Sequence, residues 1–148
     1  MAGPRILITY PFPLGRATGG ARMTREIARH LGRAGARVTI LPVSASIGRG
    51  SFPRPALEDE FLGREFDTEL ARDRVDVVRV PQHPAHWILD ASAVRRAVRE
   101  IVSSEPVDAV LSYYAEGAWL PDLLEPRGIP FGIIATWQSY AQALTAPL

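Results

Sequence analysis

Five short apolar runs rich in branched aliphatic residues constrain what this chain can fold into. They span Arg5 to Tyr10, cut off by Pro11-Phe12-Pro13; residues 37–41, stopped by Pro42; residues 75–80, stopped by Pro81; residues 107–111; and residues 128–136. Such runs are the pattern of strands buried on both faces. Between them the apolar spacing turns helical. Met23, Ile27 and Leu31, with Ala28 beside them, repeat at helical intervals after Gly19-Gly20, and Gly32 and Gly35 are expected to close that helix. Val94, Ala97, Val98 and Ile101 share one face of a second helix, with Asp90 as its expected N-cap and an end before Glu105-Pro106. A third is expected over about residues 116–124, broken or initiated by Pro121. Strands alternating with amphipathic helices predict βαβ units, and hence an α/β, Rossmann-like three-layer domain with a mainly parallel sheet.

The 148 residues make a single domain, long enough to bury about two thirds of the surface its unfolded form exposes. The absence of cysteine excludes a disulfide scaffold, a thiolate metal site and a cysteine nucleophile, and makes the cytoplasm the expected compartment. All 17 basic residues are arginine, which excludes Schiff-base chemistry and a P-loop lysine. A formal net charge of +1 gives no field to gather nucleic acid. The apolar runs fall short of the ~20 residues of a membrane span, and the first residues resemble neither a signal peptide nor an anchor.

In parallel sheets ligands bind beyond the carboxyl ends of the strands. There the loop after the first run leads into Gly19-Gly20, where glycines admit a ligand to the backbone and the positive end of a helix favours phosphate. The plainer reading is a helix start that needs a tight turn. No G-x-G-x-x-G occurs, and no acidic residue ends the second run to hold a ribose, so NAD is not expected. Tyr10, Tyr113, Tyr114, Trp137 and Tyr140 fall near strand ends, where aromatic faces suit a sugar or another partly apolar acceptor, or fill core. Glu116 can accept a hydroxyl proton or favour the start of the following helix. His83 and His86 stand in H-x-x-H spacing with no third ligand, so no metal is expected; they read as loop residues or acceptor contacts. Arg22, Arg25, Arg29 and Arg33 form a basic stripe, read as a solvated face or as a surface for peripheral contact with anionic lipid. Residues 44–74 are a variable insert carrying Glu58-Asp59-Glu60, read as a solvated connection with one amphipathic helix in its later part, or as a flap over the cleft.

The first run entering a Gly-Gly helix start, then Arg-His-Leu-Gly-Arg-Ala-Gly-Ala-Arg-Val-Thr-Ile-Leu from Arg29, Pro106-Val-Asp-Ala-Val-Leu, and Arg127-Gly-Ile-Pro-Phe-Gly-Ile-Ile-Ala-Thr resemble the N-terminal domain of GT-B glycosyltransferases of the group 1, retaining type. The resemblance covers nearly the whole chain outside the insert. It implies an acceptor-binding half-enzyme, whose partner domain, absent from these 148 residues, binds the nucleotide diphosphate sugar in cis or in trans. It places Gly19 and Gly20 by the donor diphosphate. A small-molecule or glycan acceptor would lie against Tyr10, Tyr113, Tyr114, Glu116, Trp137, His83 and His86. Neither a metal nor a cofactor beyond the nucleotide sugar is implied. Many members carry histidines after the fourth and fifth strands, where this chain has Ser112-Tyr113-Tyr114 and Thr136-Trp137-Gln138. The chain also stops at Ala146-Pro147-Leu148, earlier than expected of a complete domain of this kind. The alternatives are a stand-alone binding or assembly module, half of a split enzyme, or part of a nucleotide-sugar epimerase.

Overall fold

The computed structural model describes residues 3–10, 12–15, 19–44, 59–60, 62–81, 91–113 and 120–134. Strand β1 (Arg5–Tyr10) is central, paired in parallel with β2 (Arg37–Ser44) on one side and β5 (Ala109–Tyr113) on the other. Beyond β2 lie β3 (Val75–Val77) and β4 (Val80–Pro81), both parallel to it, and beyond β5 lies β6 (Phe131–Ile134). The order β3-β2-β1-β5-β6, with β4 continuing beside β2, is the Rossmann-like sheet expected from the alternating pattern.

Side chains alternate between the two faces of the strands, so each face needs its own cover. Ile8, Tyr10, Val38, Ile40 and Tyr113 pack with Ala21 and Ala28 of α1 (Gly19–Arg33) and Leu70 of α2 (Asp67–Arg72). On the other face Leu7, Leu41 and Val110 pack with Val94 and Val98 of α3 (Ala91–Ser104) and with Leu123 and Leu124 of α4 (Pro121–Leu124). Among the described residues no helix is long and apolar enough to cross a membrane.

Several boundaries differ from the sequence reading, each for a local reason. Pro42 does not stop β2 but lies in register with Tyr10. The Val38 amide donates to Arg74 on the β3 side, and donors alternate along a strand, so the missing amide of Pro42 faces the gap between β3 and β4. That gap splits the run at 75–80, because Arg79 leaves the ladder to grip both carboxylate oxygens of Asp67 at 2.8 and 2.9 Å and the carbonyl of Leu62. Strand β5 begins two residues late, since Asp108 is held at the mouth of β1 by the Arg5 amide, which donates to its carboxylate at 2.7 Å. The run at 128–136 is a strand only over Phe131–Ile134 among the described residues. Gly32 lies inside α1 because a side chain there would strike the carbonyl of Asp73; Gly35, at φ +105°, ends the helix. Of the helix expected over 116–124, α4 occupies the last four residues, with Pro121 as its first. The later part of the insert is a 3-10 turn (Arg64–Phe66) followed by α2, the helix expected there, docked through buried Leu62 and Leu70 with Phe66 against the same core. The Asp90 cap lies outside the described residues.

The arginine stripe is a solvated face only in part, at exposed Arg22 and half-exposed Arg33. Arg29 bonds Asp73 and Glu69 at 2.8 Å each, Arg33 reaches Asp73 at 2.9 Å, and Arg25 is buried. Arg33 and Arg29 together hold the Asp73 carboxyl below the usual carboxylate range, and Arg95, bonded to Asp122 at 2.6 Å, does the same there. Arg29 is in turn raised, chiefly by its hydrogen bond to Asp73.

Two outcomes follow. Leu7 has no exposed surface, and Leu7→Ala should cost about 2–5 kcal/mol in urea unfolding, the usual range for a cavity left in a packed core. Because the Asp73 carboxyl is depressed, its contribution to stability is whole above the ordinary carboxylate pKa and is lost as pH falls through the lower folded value. Asp73→Asn should therefore lower the urea midpoint near neutral pH, and its difference from wild type should close on acidification.

Candidate functional site

At the carboxyl edge of the sheet β1 and β5 end side by side on Tyr10 and Tyr113. One residue earlier on β1, the side chains of Thr9 and Ser112 share a buried hydrogen bond of 2.8 Å that ties the two strands together. The tyrosine rings meet edge to face, 5.2 Å between centroids, and each is 1% exposed. The structure therefore brings together two of the expected acceptor aromatics, with their rings packed into the α1 face of the core.

Their hydroxyls lie under the first turn of α1. A Cβ at Gly20 would stand 3.0 Å from Tyr10 Oη and 3.4 Å from Tyr113 Oη, whereas one at Gly19 would meet nothing within 4 Å among the described residues. The two glycines thus have different reasons for being there. Gly20 lets the helix start rest on the tyrosines, and Gly19 leaves open space at the end of the helix. Thr24 Oγ1 donates to the Gly20 carbonyl at 2.8 Å, which steadies the turn from within. The first-turn amides of an α-helix have no acceptor inside it, and with the helix dipole they favour an anion.

The loop between β1 and α1 is held from below. Arg25 Nη1 donates to the carbonyls of Leu14 and Gly15, and its guanidinium lies 3.8 Å from the centre of the Phe66 ring. Gly63, at φ +69°, packs so closely that a Cβ would stand 2.6 Å from the carbonyl carbon of Leu14. At the tip of the loop Phe12 meets Tyr10 edge to face at 5.8 Å and is 46% exposed.

Of the other expected acceptor contacts, Tyr114, Glu116, Trp137, Tyr140, His83 and His86 lie outside the described residues. Among the described residues no group of three or more histidines or carboxylates could hold a metal ion. Sequence reasoning gave Phe12 and Phe66 no role at the site and placed Arg25 in the solvated stripe, whereas it is buried. A signal for Arg25 existed: it falls in helical register with Ala21, Ala28 and Gly32, the small residues of the buried face, and not only with the other arginines.

Gly20→Ala should destabilise the fold by about 1–3 kcal/mol through overpacking, and the cost should shrink in a Tyr10→Phe background, where the nearest oxygen is gone. A double-mutant cycle of urea unfolding checks this; equal costs in both backgrounds would contradict the packing described.

The fold recurs in a distant protein. The C-terminal domain of a hydrogenase from Pyrococcus furiosus, over residues 78–226 of that protein, superposes with a TM-score of 0.61 at 19% identity, covering 90% of this chain and 91% of that one. A second structure of that domain, residues 83–215, gives 0.56 at 19% identity, covering 90% and 92%. At such identity the likeness is one of fold. No curated protein sequence matches the chain. The model of the glycosyl transferase 4-like domain matches residues 18–147, which take in the Gly19-Gly20 helix start and every later element of the sheet. The chain belongs to the glycosyl transferase 4-like domain family, in keeping with the N-terminal domain of a GT-B glycosyltransferase that its motifs resemble.

Proposed function

We propose that this chain is the acceptor-side half of a glycosyltransferase that moves a sugar from a nucleotide diphosphate sugar to a hydroxyl acceptor. The observation that carries the reading is the open start of α1 at Gly19, set at the carboxyl edge of the sheet above Tyr10 and Tyr113. In the reaction the bond from the sugar's anomeric carbon to the diphosphate oxygen breaks, and the diphosphate leaves with the bonding electrons. The acceptor oxygen bonds the same carbon and gives up its proton. Negative charge grows on the leaving diphosphate, and the amides and dipole of the α1 start, fixed before the reaction begins, lower the energy of that charge. A second Rossmann-like lobe, in cis or in trans, supplies the nucleotide and sugar contacts. On this side Phe12 offers an aromatic wall, and Tyr114, Glu116, Trp137, His83 and His86 are the further acceptor contacts proposed. The nucleotide sugar is a co-substrate, and no other cofactor is invoked.

The test is Gly19→Leu in the two-lobed enzyme, with UDP-glucose and GDP-mannose as separate probes. A Cβ at Gly19 meets none of the described residues within 4 Å, so thermal stability should hold while KM for the nucleotide sugar rises about tenfold or more, the weight of a lost hydrogen bond to a charged group. Unchanged donor binding and turnover would overturn the reading.

A further inference from the structure

Among the described residues Arg25 is the one buried charged residue, at 9% exposure. Burying a guanidinium is costly unless its donors are used, and Ala21, Ala28 and Gly32 around it form a face that an apolar residue would complete without that cost. What the guanidinium adds is direction. It donates to two consecutive carbonyls, Leu14 and Gly15, and so sets the height of the loop above α1. Four residues after Gly15 the helix begins at Gly19, and three residues before it Phe12 reaches the rim.

The outer side of this joint belongs to the insert. Phe66 covers the guanidinium, and Gly63 closes on the backbone of Leu14 and Gly15, an approach that its left-handed conformation and lack of a side chain make available. That turn is itself clamped, because Arg79, between β3 and β4, holds the Asp67 carboxylate in a two-point grip and also bonds the Leu62 carbonyl. Sheet, insert, arginine and loop form one continuous set of contacts ending at the start of α1.

We propose that Arg25 is a positioning residue for the nucleotide-sugar site: it holds the loop at 12–15 in register with the α1 start, and the turn at 62–67 braces it from outside. This rests on the transferase reading given above. The coupling makes the insert part of the site without touching substrate, so that changes at Phe66 are read out at Phe12 and Gly19.

The experiment compares Arg25→Met, Arg25→Lys and Phe66→Leu in the two-lobed enzyme, by hydrogen–deuterium exchange and by kinetics with UDP-glucose and GDP-mannose as probes. Arg25→Met keeps the stem and loses the donors, and exchange over residues 12–20 should quicken about tenfold while the strands keep wild-type protection. KM for the nucleotide sugar should rise with kcat nearly unchanged, and Arg25→Lys should restore part of the effect. Phe66→Leu, which removes only the ring face and serves also if Arg25→Met does not fold, should quicken exchange over the same residues by a smaller factor. Wild-type exchange over 12–20 in the folded variants, or a uniform rise across all strands, would overturn the proposal. Quickened exchange in a wild-type background that binds neither probe would uphold the positioning role and remove the transferase reading alone.

Discussion

Strand β1 has no free edge. Its backbone is consumed on one side by β2 over six register pairs and on the other by β5 over four, so the strand can neither slip nor twist away without breaking both ladders. What stands at the carboxyl edge is referred to it: Thr9 locks to Ser112, and Tyr10 meets Tyr113. A strand buried on both faces carries apolar residues in succession, which is why Ile6, Leu7 and Ile8 follow one another without alternation, and its buried Thr9 spends its hydroxyl on Ser112.

On that base the site is built by close approach more than by charge. The helix start settles on two tyrosine hydroxyls because Gly20 has no side chain, and no described residue closes the space beyond Gly19. The charged groups lie mostly away from it. Arg29 and Arg33 with Asp73, Arg79 with Asp67, and Arg95 with Asp122 tie helices and turns to one another. Arg25, by contrast, lies beneath the loop and donates to its backbone carbonyls. The same helix therefore serves three layers at once: small residues against the sheet, arginines against α2, and its first turn at the rim.

Much of this was legible before the structure. The five apolar runs and the helical spacing of Met23, Ile27 and Leu31 located the strands and α1, since period and length follow from burial on one face or two. The Gly-Gly pair marked the helix start correctly. What escaped was decided between segments distant in sequence. Pro42 reads as a stop until the gap between β3 and β4 is seen beside it, and Tyr113 reads as lying beyond a strand until Asp108 is found tied to Arg5. Arg25 reads as surface because the acceptors it meets under the loop are carbonyls, which every residue has and no sequence pattern marks.

The sequence by itself determined the α/β class, the parallel order of short buried strands, and the glycine-rich start of α1, because these depend on periodicity and on backbone freedom that each residue carries with it. Only the tertiary structure decided that Gly19 and Gly20 differ, that the stripe of arginines holds a buried anchor at Arg25 and ion pairs at Arg29 and Arg33, and that the insert at 62–67 is joined to the loop at 12–15. These are properties of pairs of groups brought within a few ångströms by the fold, and a pair has no signature in either of its members.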